Sequence, residues 1–500
     1  MEAYEELLSR LKDIDLIGQI GGLMSWDQEV LMPPKAAALR AEQLAWISKT
    51  GHQRLTDPII GELLSQLEGG ATLDEVEKAN IRLARESYDR ATKLPTEFVE
   101  EMAKHRSRAQ ISWTEARAID DFSIFRDDLA KAIELARQKA DYIGYENLRY
   151  DALLGLYETG LTVARVDPLF SGLRENVAPL IRAVIEEGRR PNISWIEDNS
   201  WPQSAQEALS QSVAEAIGFD FNAGRRDSST HPFCGGPNPD DVRWTTRYNE
   251  SDPFGSLYGS MHETGHGTYE QGRRRDLDFQ PAGQANGLGV HESQSRLWEN
   301  QVGRSKEFCE WALPLWQSCF PENMEGVDAE QLWQAVNLVE PSLIRVEADE
   351  ATYNLHIMIR YEIEKMLIAG ELEVDDLPEA WDDMYEEFLG IRAPTRALGV
   401  LQDIHWSMGA FGYFPTYTLG NLYAAQLLEA ARDDLPKHDE QIRKGQFVAL
   451  LDWMRANVHS RGSILEPAQL IEEATGSPPS PDAFVRYLSF KIEELYGVKA

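Results

Sequence analysis

Apolar positions recur at i, i+3 and i+4 along most of the 500-residue chain, with charged residues between them. The stretches from Glu2 to Leu16, Leu73 to Tyr88 and Phe125 to Ile143 show the pattern best. This period puts the apolar side chains on one face of an α-helix, so the fold class is mainly α. Glycine, proline and small polar residues interrupt the pattern at Gly188 to Asn192, at Asn222 to Asp241 and at Gly476 to Asp482, and predict loops there. Ser25-Trp26-Asp27-Gln28 and Met32-Pro33-Pro34 read as a packed break in the first helix. One segment has a different character. Val242 to Tyr248 is rich in β-branched and aromatic residues and follows a turn-rich loop, which predicts a short strand or hairpin. It is either the wall of a groove that pairs with an extended peptide or a small structural element.

A chain of this length exceeds what one hydrophobic core usually fills, so two or three packed lobes are expected. Apolar runs such as Met366 to Ala369 are far shorter than the roughly 20 residues of a membrane-spanning helix. The acidic start, Met1-Glu2-Ala3-Tyr4-Glu5-Glu6, lacks the basic flank and apolar core of a secretion signal. Three scattered cysteines, Cys234, Cys309 and Cys319, do not form a disulfide framework. These features together lead to the expectation of a cytoplasmic protein. A net charge of −34 opposes binding to polyanions, because nucleic-acid affinity depends on neutralising phosphates with lysine and arginine. Such acidity either steers cationic substrates or keeps a solvated surface soluble, and the second is the simpler reading.

The chemistry concentrates at His262-Glu263-Thr264-Gly265-His266. On a helix, positions i and i+4 share a face with Cβ atoms about 5–6 Å apart, so both imidazoles reach one tetrahedral metal. Glu263 is offset by one residue; it does not ligate beside them, but it can hold an activated water and accept its proton. A catalytic zinc usually has a third protein ligand. Gly287 to Trp298 reads as a second helix after a reversing loop, and Glu292 or His291 on it could reach back. Glu292 is the better match to a glutamate-ligand zinc peptidase. Glu270, one turn past His266, occupies a place from which a carboxylate can orient a ligand imidazole, although it is not counted among the site residues.

Taken in order, the blocks His231-Pro232-Phe233, Asp241-Val242-Arg243-Trp244-Thr245, the metal helix, His291-Glu292-Ser293-Gln294, Ile344-Arg345-Val346-Glu347-Ala348-Asp349 and Gly399 to Trp406 resemble the metallocarboxypeptidases of the carboxypeptidase Taq type. Cys234 stands where a threonine is more usual. The resemblance implies His262, His266 and Glu292 as metal ligands and Glu263 as general base. It implies one zinc, or cobalt, per subunit. The fold it implies is a nearly all-helical, two-lobed, saddle-like unit spanning residues 1–500, with a deep groove and an active-site core over 231–420. It also implies a homodimer that releases single C-terminal amino acids from peptides with broad specificity, a terminal proline being resisted.

A carboxypeptidase must hold a free carboxylate, for which arginine has the matching bidentate geometry. Arg345 is the leading candidate and Arg243 the second. If Arg345, Asp349, Thr352 and His356 lie on one helix they form a polar stripe, facing either the groove or solvent. His405, Tyr413 and Tyr417 are candidates to bind substrate and to donate to the developing oxyanion. Two other readings compete with the carboxypeptidase: a helical zinc oligopeptidase that cuts internally, and a catalytically silent peptide-binding protein.

Overall fold

The computed structural model describes residues 2–69, 73–196 and 199–498, and it is predominantly helical with one three-stranded sheet. By packing it divides into two units, each assembled from separate stretches of chain. The first comprises Met1–Thr92, Asn192–Val336 and Tyr423–Pro478; the second comprises Lys93–Pro191, Asn337–Leu422 and Pro479–Ala500.

In the first unit the opening helix runs from Glu2 to Val30, straight through Ser25-Trp26-Asp27-Gln28. The expected break is confined to the residues before Pro34, where proline rings remove backbone donors, and the chain resumes as Ala37–Leu55. Trp26 and Asp27 instead fasten the helix. Trp26 is buried, with the guanidinium of Arg243 4.4 Å from its ring centroid and that of Arg225 4.9 Å away. Asp27 accepts a 2.6 Å bond from Arg40 on the next helix.

The strand expected at Val242 to Tyr248 is present as Asp241–Thr246 and lies at the centre of the sheet. Its neighbours, Gly224–Ser228 and Cys234–Asn238, occupy the stretch that composition marked as loop. In chain order these strands are β1, β2 and β3. β1 pairs parallel to β3 and β2 antiparallel, with Arg225 opposite Arg243 and Cys234 opposite Trp244. Glycine and proline dominate β2, so its strand character comes from backbone pairing with β3 and not from its side chains. On β3, Val242 and Trp244 point into an apolar cluster with Ala214 and Phe219, while Arg243 lies over Trp26.

In the second unit the helix Tyr353–Ala369 is buried almost all round. Its two buried charged side chains, Arg360 and Glu364, are each held by several partners, as burial demands. Arg360, fully buried, donates to Asp403 at 2.6 Å, to Gln402 Oε1 at 2.7 Å and to the Tyr385 hydroxyl at 3.1 Å. Glu364 accepts from the Tyr150 hydroxyl (2.6 Å), the Trp406 indole (2.8 Å) and the Gly412 amide (2.7 Å). The polar stripe expected from Arg345 to His356 does not exist as a helix face. Arg345–Glu347 is a single 3-10 turn, and Asp349 binds the amides of Ala351 and Thr352 to start the helix that follows. Only His356 lies within that helix, where its Nδ1 meets the Tyr385 hydroxyl at 3.0 Å.

Several histidines are buried uncharged. Burial, reinforced by Arg432, pushes His438 down to about 4. Burial, with Arg455, lowers His459 to about 3. An unfolded histidine protonates near pH 6.5. Below that pH the unfolded chain takes up protons that the folded chain refuses, so the stabilising contribution is complete above about pH 6.5 and lost as the pH falls through about 4. Thermal unfolding followed from neutral pH down to about 4.5 should show a midpoint falling by several degrees, and His438→Gln should flatten that slope. A midpoint that holds constant over this window would contradict the buried neutral assignment.

Candidate active site

Two helices of the first unit build the metal-type site. The motif helix is Gly255–Gly272, and the helix that follows is Leu288–Arg296, extended by a π-helical turn from Leu297 to Val302. Their backbones meet at Gly265, where an added Cβ would lie 2.5 Å from the Gln294 carbonyl oxygen and 2.6 Å from Ser295 Cα. Only a residue without a side chain allows this approach, and it sets both motif histidines over Glu292. Leu257, Tyr258 and Met261 pack inward on the same helix. At its other side, Ser260 donates to Thr246 at the end of β3.

The donor atoms of His262, His266 and Glu292 all lie within 4.8 Å of one another. Glu292 Oε2 is 3.7 Å from His262 Nε2 and 3.5 Å from His266 Nε2. Ligand atoms held roughly 2.0–2.2 Å from a tetrahedral centre are separated by about 3.3–3.6 Å, so the two carboxylate–imidazole spacings are close to those of ligands sharing one metal ion. The charge balance agrees. Glu263, Glu270, Glu292 and Glu299 are all within these two helices and buried or nearly so, whereas Arg273 and Arg296 are the basic residues paired with them there. A dication fits such an excess of carboxylate.

Each ligand-type side chain is held from behind. His262 Nδ1 is 2.8 Å from Glu299 Oε2, which turns its Nε2 toward Glu292. His266 Nδ1 is 2.6 Å from His291 Nδ1, and His291 Nε2 is 2.9 Å from Glu270 Oε1. Glu292 Oε1 accepts from Arg296 at 2.7 Å, and Arg296 reaches Glu299 at 3.3 Å. Burial opposes ionisation of Glu292, but Arg296 and the two histidines outweigh it and hold the carboxyl far below its ordinary range. Burial, only partly offset by His262, pushes Glu263 up to about 7, and its Oε2 is buried without a hydrogen-bond partner. This carboxylate beside the donor cluster has the free basic capacity that a proton acceptor needs.

The other predicted residues are carried by other elements. Arg243, on β3, is engaged by Asp241 through both Nε and Nη2 (2.7 and 2.9 Å) and covered by Trp26. Arg345, His405, Tyr413 and Tyr417 form a cluster in the second unit. Arg345 is buried, with Nε and Nη2 on Asp403 (3.1 and 2.8 Å) and Nη1 on the Tyr353 hydroxyl (3.2 Å). Asp403 is shared with Arg360, so two guanidinium groups face one carboxylate and a positive charge remains. His405 packs on Phe414 at 4.5 Å and on Tyr413 at 5.4 Å. Burial, which Asp403 opposes and the two arginines reinforce, lowers His405 to about 4 and keeps it a neutral imidazole.

Known proteins share the sequence pattern and the fold of this chain. The profile of the carboxypeptidase Taq (M32) metallopeptidases matches residues 6–492. The chain belongs to this family. It is 42% identical to thermostable carboxypeptidase 1 of Thermus thermophilus, and 38% identical to carboxypeptidase 1 of Bacillus subtilis, over 99% of each chain. Its fold is similar to the M32 carboxypeptidase of Deinococcus radiodurans R1, with a TM-score of 0.97, 38% identity and full coverage of both chains. It is also similar to the carboxypeptidase of Pyrococcus furiosus, with a TM-score of 0.96, 36% identity and coverage of 98% of this chain and 99% of that one. As an M32 protein it is a metallocarboxypeptidase that hydrolyses peptides with a metal cofactor.

Residues that the sequence reading passed over include Glu299, Arg296, Asp403 and Arg360. Glu292, Arg296 and Glu299 follow at i, i+4 and i+7, a charge spacing that marks one helix face. The π turn that carries Glu299 back to His262 has no such signature. Because the grouping of His262, His266 and Glu292 hangs on the crossing at Gly265, Gly265→Val should cost about 1–3 kcal/mol by denaturant titration. It should also weaken metal binding, measured by chelator competition, and a variant equal to wild type in both would show that the helices can separate without consequence.

Proposed function

We propose that the protein is a zinc carboxypeptidase, with cobalt as a workable substitute, that removes single residues from free peptide C-termini with broad specificity. The observation that carries this reading is the spacing of the His262, His266 and Glu292 donors beside the buried, unpartnered carboxylate oxygen of Glu263. In this reading those three residues hold the metal. Bound there, zinc supplies Lewis acidity that acidifies water and polarises the scissile carbonyl. Glu263 takes the water proton and passes it to the leaving amine. The half-buried His405, Tyr413 and Tyr417 supply donors to the developing oxyanion.

Arg345 receives the terminal carboxylate. The surplus positive charge of the Arg345, Arg360 and Asp403 group supports this role, and it favours Arg345 over Arg243, whose charge is matched by Asp241 alone. A C-terminal proline should resist, since its scissile nitrogen is tertiary and its ring fixes the backbone. We further propose a cytoplasmic homodimer. No helix among the described residues is long and apolar enough to cross a membrane.

The decisive experiment incubates a mixed peptide library with the purified protein, with and without chelator and with zinc or cobalt restored, and follows it by mass spectrometry. Stepwise loss of single C-terminal residues that stops with chelator is expected; internal fragments would favour an oligopeptidase. Glu263→Gln should retain metal yet lower kcat by at least about a hundredfold. Arg345→Ala should lose about 2–4 kcal/mol of kcat/KM on free-carboxylate peptides and change little on amidated ones. Equal losses on both substrates would remove Arg345 from carboxylate recognition.

A further inference from the structure

The two motif histidines are held in different ways. His262 meets a carboxylate directly, through Glu299. His266 meets a second imidazole, His291, which in turn meets Glu270, and Glu270 is ion-paired with Arg273 at 2.9 Å. Glu270 is four residues past His266, on the same face of the motif helix, and His291 inserts between them from the neighbouring helix. His291 is enclosed by Tyr269, whose ring centroid is 5.2 Å away, and Tyr269 packs in turn on His459 at 5.0 Å. His459 is fixed by Gln294 at 2.9 Å, next to the Gly265 crossing.

A chain of this kind can be protonated in two directions. Where two imidazole nitrogens face each other, one must donate and the other accept, and each neutral ring donates from one nitrogen and accepts at the other. If Glu270 is the acceptor at the far end, His291 carries its proton on Nε2 and presents a lone pair at Nδ1. His266 then donates from Nδ1, and its Nε2 lone pair faces Glu292 and His262. In the reverse direction His291 donates from Nδ1, and the His266 proton moves to Nε2, where it blocks ligation. A carboxylate has no proton to give, so Glu270 enforces the first direction. Arg273, bound to its other oxygen, keeps it a carboxylate, because burial is outweighed by His291 and Arg273 and the group stays below its ordinary range.

We infer that His291 and Glu270 are positioning residues that fix the His266 tautomer and thereby set how tightly, and in what orientation, the metal is held. The inference rests on the reading of His266 as a ligand. It assigns to His291, the neighbour of Glu292, a task distinct from ligation, and it makes the single helix Leu288–Arg296 the source of both a ligand and the device that prepares another. It also predicts a difference between two conservative changes. Glu270→Gln keeps size and hydrogen-bonding capacity, but its amide can donate to His291 and so permits the reversed chain. His291→Phe fills the space and leaves the His266 Nδ1–H without an acceptor.

The test measures zinc dissociation constants by competition with a chromophoric chelator for the wild type and for His266→Ala, His291→Phe and Glu270→Gln. Circular dichroism reports whether each folds. Expected losses are about tenfold for Glu270→Gln and about 10- to 100-fold for His291→Phe, with a larger loss for His266→Ala. The wild-type protein gives an independent readout: ¹⁵N-histidine spectra of the zinc-loaded form should show His266 protonated at Nδ1 and His291 at Nε2, and Glu270→Gln without metal should show a mixture at His266. Wild-type zinc affinity in His266→Ala would refute the ligand reading itself. Loss in that variant with His291→Phe and Glu270→Gln both within about twofold of wild type, or a doubly protonated His291 in the zinc-loaded protein, would overturn the relay while leaving the ligand reading intact.

Discussion

The crossing of two helices at a residue without a side chain is the constraint on which the site depends. At Gly265 the motif helix touches the backbone of the helix beginning at Leu288, and no other residue type permits that approach without displacing Gln294 and Ser295. Several arrangements follow from it. Glu292 faces both motif histidines; His291, one position earlier, slips behind His266; and the π turn that continues the second helix brings Glu299 behind His262. A wider crossing would leave each motif intact in sequence and separate the donors in space.

Close packing of this kind concentrates carboxylates where water is scarce, and the remaining features of the site manage that cost. Arg296 bridges Glu292 and Glu299, and Arg273 pairs with Glu270. Of the site's carboxylates Glu263, Glu270, Glu292 and Glu299, Glu263 keeps a buried oxygen without a partner; burial raises its proton affinity, and the open oxygen leaves it available for proton transfer. In the second unit the same economy holds with opposite sign. Arg345 and Arg360 converge on Asp403, Arg360 also donates to Gln402 and Tyr385, and Glu364 ties Tyr150, Trp406 and Gly412 together around the segment that carries His405 and Tyr413. Buried polar groups here are organised as networks in which each charge has several partners, so that loop residues are positioned by groups distant in sequence.

The helical class, the motif helix, the second helix and the central strand were all legible in the chain, because helical period and β-branched content are local properties. The His262, Glu263 and His266 geometry was legible for the same reason: it is intrinsic to one helix. Sequence favoured Glu292 over His291 as a third donor, and the structure groups Glu292 with the histidines while placing His291 behind one of them. The misreadings share one physical cause. β2 looked like a loop because its strand conformation is imposed by pairing with β3. Trp26 looked like a helix break because its partners, Arg225 and Arg243, are some two hundred residues away. The stripe from Arg345 to His356 looked helical, yet Asp349 uses its side chain to start the helix and so places Arg345 outside it.

By itself, then, the sequence determined what a single element can encode: which segments are helical, which residues on one turn can share a metal, and which family the ordered blocks resemble. Only the tertiary structure decided which side chains stand behind the donors, that Arg345 is already engaged by Asp403 while Arg243 is taken by Asp241, and that Glu270 reaches His266 through His291. Hydrogen bonding and charge compensation act over about 3 Å whatever the separation along the chain, so their partners are chosen by packing and not by local pattern.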